Sequence, residues 1–400
     1  MEKWTEYGID FLANDIQAQA GIPDWLTLDA VADAPRFHTA MPGYQPTPLL
    51  KLDNLAKAGN IAGVYVKNEA PRFGLNAFKV LGSSYAICQT ICQKLGLNLN
   101  ETGFAGLKRQ NLQNMVFATA TDGNHGRGVA WVSRELGCPA HVYMPAGAEP
   151  ERVEAIRAFG AEVEVTGLCY DDTAAYAKAQ AEQNGWTLVQ DTSFPGYEEI
   201  PQLIIQGYAT MAAEIAGQLA PDEAPTHIFL QAGVGSMAGG MLAYLAQYYP
   251  AAKFIILEPQ NVACCLLAAE QQNDAASIPG VQHTIMAGLN CGTPCPLIMP
   301  LLREKAAFFL GCPDYVAAHG MRLAAHPAKG DQAYTSGESG AVGLGISALL
   351  LSDRLAKSRA KLGIDANSRL LSLNTEGSMA PSVWRQIVEH NACPLPEGVC

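Results

Sequence analysis

The stretch whose reading decides the fold runs from residue 115 to residue 191: MVFATATDGNHGRGVAWVSRELGCPAHVYMPAGAEPERVEAIRAFGAEVEVTGLCYDDTAAYAKAQAEQNGWTLVQD. Within it MVFATA (115–120), PAHVYMP (139–145), AEVEVTG (161–167) and WTLVQD (186–191) are apolar runs of strand length. Between them lie helical patterns at Gly126–Leu136, Glu151–Phe159 and Asp172–Gln183. Strands alternating with helices of about ten residues specify βαβ units, and such units specify a parallel sheet. Further along, HIFLQAG (227–233), a helix from Met237, KFIILEP (253–259) and RLLSLNT (369–375) begin a second block of the same kind.

A chain of 400 residues is too long for one compact core. The expected architecture is therefore a two-domain α/β fold, with parallel-rich twisted sheets flanked by helices. Residues 1–80 and 190–400 form the larger domain and 81–189 the smaller, since the N-terminal segment has too few strands to stand alone. In such sheets ligands bind beyond the carboxyl ends of the strands. NAFK, TDGNHG, QDTSF, QAGVGSMAGG and NTEGS are the strand-end sequences to inspect. The Gly/Pro/Cys-rich segment 280–296 reads as a long loop, and loops of that length are often functional.

Composition narrows the class. With 49% hydrophobic and 16% charged residues the chain suits a well-buried enzyme rather than a disordered segment. A net charge of −12 with no basic stripe argues against a nucleic-acid partner. No apolar run is long enough to span a bilayer, so no membrane association is expected. The opening MEKWTEYGIDFLANDIQ lacks a basic region followed by an apolar one, which implies a cytoplasmic protein. Eleven cysteines, an odd number spread over a long chain, do not imply a disulfide framework. One pairing, of Cys264 or Cys265 with the Cys291 loop, is left open. Cys88 with Cys92 and Cys291 with Cys295 are each half a zinc site, and no second pair completes either, so no metal is expected.

The glycine loop Gly233-Val234-Gly235-Ser236-Met237-Ala238-Gly239-Gly240 follows a strand and opens a helix. Glycines let backbone N–H groups turn inward, and the helix N-terminus adds partial positive charge, which together make a phosphate cradle. A dinucleotide site is a rival, with Glu258 ending the next strand, although the spacing G-x-G-x-x-x-G is one residue longer than that fingerprint. A turn serving packing alone is the third reading. In GLNAFKVLGSSYAI a helix starts near Lys79, with Asn76 as its N-cap. A lysine at a positive helix end is biased toward its neutral amine, the form that makes a Schiff base.

Asn76-Ala77-Phe78-Lys79 followed by Gly82-Ser83-Ser84-Tyr85 resembles the cofactor-lysine segment of the tryptophan-synthase-β-like, fold-type II pyridoxal-phosphate enzymes. Gly123-Asn124-His125-Gly126 is similar to their asparagine loop and Gly233–Gly240 to their phosphate cradle. Glu258-Pro259 and Gly337-Glu338-Ser339-Gly340-Ala341 match further family segments, in the same order across residues 40 to 380. The resemblance implies pyridoxal 5′-phosphate as cofactor, bound in the cleft between two domains of a homodimer's subunit. It implies a Schiff base on Lys79, whose freed amine then removes the Cα proton of an L-amino acid. It places Asn124 on the cofactor's 3′-oxygen and Gly233, Val234, Gly235, Ser236 and Gly239 around the phosphate. Thr375, at a strand end, becomes the partner of the pyridine nitrogen, and Glu338 lies near the ring edge. Thr121, Asp122, Gly123 and His125 would surround the substrate, with His125 mainly structural.

Asp122 departs from the dehydratases of that family, which carry a hydroxyl residue where the substrate α-carboxylate is held. A carboxylate there repels such a group, unless the substrate brings a second ammonium, as 2,3-diaminopropionate does. Asp191 could add a second carboxylate, and either aspartate could act as a base from the opposite face for a D-isomer. The plainer readings are that Asp122 caps the next helix, Asp191 begins a turn and Asn124 makes an Asx turn. The expected activity is α,β-elimination of 2,3-diaminopropionate to pyruvate and two ammonia molecules. Its rivals are a serine/threonine dehydratase of the same fold, a cofactor-binding protein without turnover and a nucleotide-binding oxidoreductase.

Overall fold

The structure is a computed structural model and describes residues 1–14 and 21–397. The described strands are β1 (Glu2–Glu6), β2 (Ile9–Ala13), β3 (Leu49–Lys51), β4 (Gly63–Asn68), β5 (Phe117–Ala120), β6 (Ala140–Met144), β7 (Glu162–Val165), β8 (Thr187–Leu188), β9 (His227–Gln231), β10 (Lys253–Pro259), β11 (Phe308–Cys312) and β12 (Arg369–Asn374). The chain forms two compact units, one of Met1–Ile22, Thr47–Pro71 and Glu214–Cys400, the other of Pro23–Pro46 and Arg72–Ala213. This differs from a division at residues 80 and 190. The helix Val80–Leu95, which begins beside Lys79, packs on the helices Asn124–Leu136 and Glu199–Gly207, and that contact draws its neighbours into the second unit.

The second unit contains the deciding stretch, and its four strands form one parallel sheet in the order β7-β6-β5-β8. The helices Asn124–Leu136, Pro150–Arg157 and Tyr170–Asn184 connect them. The last strand is much shorter than WTLVQD. Gln190 Oε1 accepts the Ala120 N–H at 2.9 Å, so a side chain takes the place of the next ladder bond. Because β5 and β8 are neighbours in register, Thr121-Asp122 and Asp191 leave the same end of the sheet.

The first unit has an eight-stranded sheet, β1-β2-β11-β10-β9-β12-β4-β3. Its central five strands, β11 to β4, are parallel, and antiparallel strands close both edges. The N-terminal residues do join this sheet, as β1 and β2. The Tyr7-Gly8 turn between them takes positive φ at both positions (49° and 73°), which suits the twist of a two-residue hairpin. Phe309 and Leu310 of β11 and Ile255, Ile256 and Leu257 of β10 are wholly buried, as strands covered on both faces must be. Among the described residues no helix is long and apolar enough to cross a membrane.

Candidate active site

The chemistry-bearing residues fall into two groups, one in each unit. In the second unit Lys79 occupies the N-cap position of Val80–Leu95. Asn76 is not the cap, because its backbone is left-handed (φ 59°) and turns the chain into the helix rather than closing it. Lys79 Nζ donates to Asp191 Oδ2 at 2.5 Å, and Asp191 is 6% exposed. Burial alone would raise the Asp191 carboxyl. The Lys79 charge, helped by His125 and by the lysine hydrogen bond, overrides burial and holds it down at about 2. Asp191 is thus the counter-ion of Lys79 and more than a turn residue.

His125 Nδ1 lies 4.0 Å from Asp191 Oδ2, while its Nε2 meets the Val189 carbonyl at 2.7 Å. A carbonyl only accepts, so the hydrogen sits on Nε2. Burial, with Lys79 adding to it, pushes the ring below the ordinary histidine range. The imidazole is tied to the backbone through Nε2 and makes no hydrogen bond to Asp191.

Asp122 is not the helix cap either. Thr121 Oγ1 takes that place, accepting from Gly123 N at 2.9 Å and Gly126 N at 3.1 Å. Asp122 keeps some accessible surface but lies deep among protein atoms. Burial pushes its carboxyl up to about 7, the Arg152 guanidinium pulls against that rise, and the Asp191 charge adds to it. Arg152 also donates from Nη1 to the Asp122 carbonyl at 3.4 Å. Asn124 is the first residue of Asn124–Leu136.

Two participants here were missed by the sequence reading. Arg152 shares a buried stripe with Val153 and Ile156 on Pro150–Arg157, and an arginine on that face was the available signal. Tyr208, fully buried, packs its ring against Phe78 at 4.9 Å between centroids. Burial raises its phenol well above the ordinary range, while the Lys79 charge pulls it down. Nothing in its local sequence marks it.

In the first unit the glycine loop joins β9 to the helix Ser236–Tyr248. Gly235 has φ +91°, and a Cβ there would also lie 2.9 Å from Leu302 Cδ1. A Cβ on Gly239 would lie 1.8 Å from Ile298 Cγ1. Packing therefore demands these glycines whatever else they serve. The N–H groups of Gly233, Val234 and Gly235 donate to nothing among the described residues, and a helix N-terminus stands beside them. The Cys291 loop is stitched underneath by Cys295 N to the Val234 carbonyl, 2.7 Å.

Glu258 does not serve a dinucleotide. It is wholly buried, accepts from Cys265 N (2.7 Å) and Leu266 N (2.8 Å), and burial raises its carboxyl to about 8. With Cys264 and Cys265 it makes a cluster of metal-binding type, the ligand atoms within 4.8 Å of one another. Those two thiols face the Gly233 carbonyl, and none of Cys264, Cys265, Cys291 and Cys295 is in a disulfide, so the pairing left open by the sequence is not formed. Thr375, directly after β12, is 3% exposed and accepts from Gln231 Nε2 at 3.2 Å. Glu338 is buried at the start of the helix Glu338–Leu350.

These residues fit pyridoxal phosphate. The second unit by itself offers a lysine nitrogen held by a carboxylate, and the first by itself offers uncommitted backbone donors suited to a phosphate and a buried hydroxyl suited to a ring nitrogen.

Comparison with known proteins agrees. The family model described as pyridoxal-phosphate dependent enzyme matches residues 40–360. Diaminopropionate ammonia-lyase of Escherichia coli (strain K12) is 45% identical over 359 residues, spanning 89% of this chain and 90% of its own. The crystal structure of Escherichia coli diaminopropionate ammonia lyase in complex with D-serine superposes with a TM-score of 0.91 at 41% identity, covering 97% of this chain and 98% of that one. The same enzyme in complex with an aminoacrylate-PLP azomethine reaction intermediate gives 0.89 at 40% identity, covering 99% and 100%. The chain belongs to the family of pyridoxal-phosphate-dependent enzymes, with the tryptophan-synthase-β-like fold.

Proposed function

We propose that this enzyme eliminates ammonia from 2,3-diaminopropionate, giving pyruvate and two ammonia molecules, with its cofactor carried on Lys79. The observation that carries this reading is the pair of aspartates coupled to that lysine, Asp191 at 2.5 Å and Asp122 at a pKa of about 7. The likeness to the Escherichia coli diaminopropionate ammonia-lyase supports it independently.

When bound, the cofactor supplies an aldehyde for the substrate's α-amine and a conjugated ring for the electron pair left at Cα. Lys79 would take the Cα proton on its own face. Asp191 holds the lysine when it is charged. Removing that charge takes away the largest influence opposing burial, so the Asp191 carboxylate becomes a better proton acceptor just when Lys79 is neutral. That suits a base on the other face, the one presented by a D-isomer. Asp122 in its ionised form pairs with the β-ammonium, which departs as neutral ammonia and needs no proton donor. Asn124, the Gly233–Gly239 backbone and Thr375 would hold the cofactor, and Thr121, through its cap, keeps the Asp122 loop in place. Following the family resemblance, we assign the enzyme as a homodimer, which sedimentation of the purified protein would read directly.

The test is turnover of L- and D-2,3-diaminopropionate, serine and threonine by the purified protein, with pyruvate and ammonia assayed together. Diaminopropionate should give two ammonia molecules per pyruvate and the highest kcat/KM. A higher kcat/KM on serine or threonine would make the enzyme a dehydratase.

A further inference from the structure

Gln231 is the last residue of β9, immediately before the glycine loop, and is 1% exposed. Its Nε2 lies 3.0 Å from the Leu373 carbonyl, 3.2 Å from the Ser339 carbonyl and 3.2 Å from Thr375 Oγ1. Carbonyl oxygens only accept, so the first two contacts decide which end of the carboxamide is nitrogen. The opposite end, Oε1, is buried without a hydrogen-bond partner among the described residues.

What meets Thr375 is therefore an amide nitrogen, which cannot accept; its two hydrogens serve three oxygens, so one is shared and the threonine oxygen is on the accepting side. A hydroxyl has one hydrogen. With Gln231 on its lone pair, that hydrogen points elsewhere, and no acceptor for it lies among the described residues.

We propose that Gln231 is a positioning residue that makes the Thr375 hydroxyl a donor, so that this site takes an unprotonated pyridine nitrogen and disfavours a pyridinium. The proposal rests on the reading that Thr375 faces the cofactor ring nitrogen. It adds what the threonine alone leaves undetermined, since a free hydroxyl can rotate to donate to a pyridine or accept from a pyridinium.

The experiment compares the affinity of the full-length protein, stripped and reconstituted, for pyridoxal phosphate and for 1-deazapyridoxal phosphate, which carries C–H in place of the ring nitrogen. The natural protein should prefer pyridoxal phosphate by about tenfold, the worth of one hydrogen bond. Thr375→Val should abolish the preference. Gln231→Met should remove most of it, and the double variant should fall no lower than Thr375→Val. A ratio of two affinities is insensitive to a general loss of folding. Gln231→Met with the full preference of the natural protein overturns the positioning role. Thr375→Val with that full preference instead overturns the placement of Thr375, so the two failures are distinguishable. The ¹⁵N shift of the labelled ring in the holoenzyme should be of pyridine type in the natural protein, and a pyridinium shift overturns the proposal.

Discussion

The lysine side of the second unit and the glycine loop of the first are both strand-end sites, yet they are built from opposite materials. Around Lys79 the working groups are charged and buried, and two aspartates beyond the ends of neighbouring strands are driven apart, Asp122 up to about 7 and Asp191 down to about 2. Around Gly235 the working groups are backbone N–H, and the nearby carboxyl, Glu258, is tied to backbone and raised to about 8. Charge placed where it is expensive is a sign of chemistry. Backbone N–H groups without acceptors beside a helix N-terminus are a sign of anion binding. The two sides should therefore fail in different ways.

The largest effect falls on the lysine side. Lys79→Ala should lower kcat by at least about 10⁴-fold, because it removes both the covalent anchor and a proton-transfer group. It should also abolish borohydride-dependent fixation of the cofactor to the chain, read by peptide mapping. Fixation at another lysine would remove the contrast between the two sides.

On the glycine side the expected loss is of folding and affinity rather than rate. Gly239→Ala places a methyl 1.8 Å from Ile298 Cγ1 and should cost roughly 1–3 kcal/mol of stability by urea denaturation. Cofactor affinity should fall with it. An unchanged midpoint with weakened cofactor binding would show that the glycine serves the ligand directly.

How these sites could be read from the sequence follows the same division. Alternation of short apolar runs with helices gave the four-stranded sheet, because βαβ periodicity is a local signal. The remaining strands of the larger sheet were harder. Tyr7-Gly8 lacks the usual Asn-Gly signature of a hairpin, and Phe308–Cys312 carries no alternation because both its faces are buried. Lys79, Asp122 and Asp191 were legible through their neighbours in sequence. Their pairing was not, since it depends on β5 lying beside β8. Thr121 took the capping role assigned in one reading to Asp122, a choice between adjacent residues that only backbone geometry settles. Arg152 comes from the helix Pro150–Arg157 and Tyr208 from the turn after Glu199–Gly207, both outside the strand-end motifs, and the structure alone brings them in.

A smaller effect sharpens the lysine side. Asp122 must be ionised to pair with an ammonium, so activity should be present above about pH 7 and decline as pH falls through that value. Arg152 opposes the rise of Asp122. Arg152→Met should therefore move the acid limb of the kcat/KM profile to higher pH, with little change on the plateau. A limb that stays in place would mean that another group titrates there.

The central claim, that a carboxylate beside Lys79 selects a substrate with a second ammonium, is tested most directly by kcat/KM of Asp122→Asn on 2,3-diaminopropionate and on serine. The substitution removes charge and keeps size. The ratio of the two should fall roughly ten- to a hundredfold, the worth of one charge-assisted hydrogen bond, and the acid limb near pH 7 should disappear for diaminopropionate. Equal, slight losses on both substrates would contradict the claim.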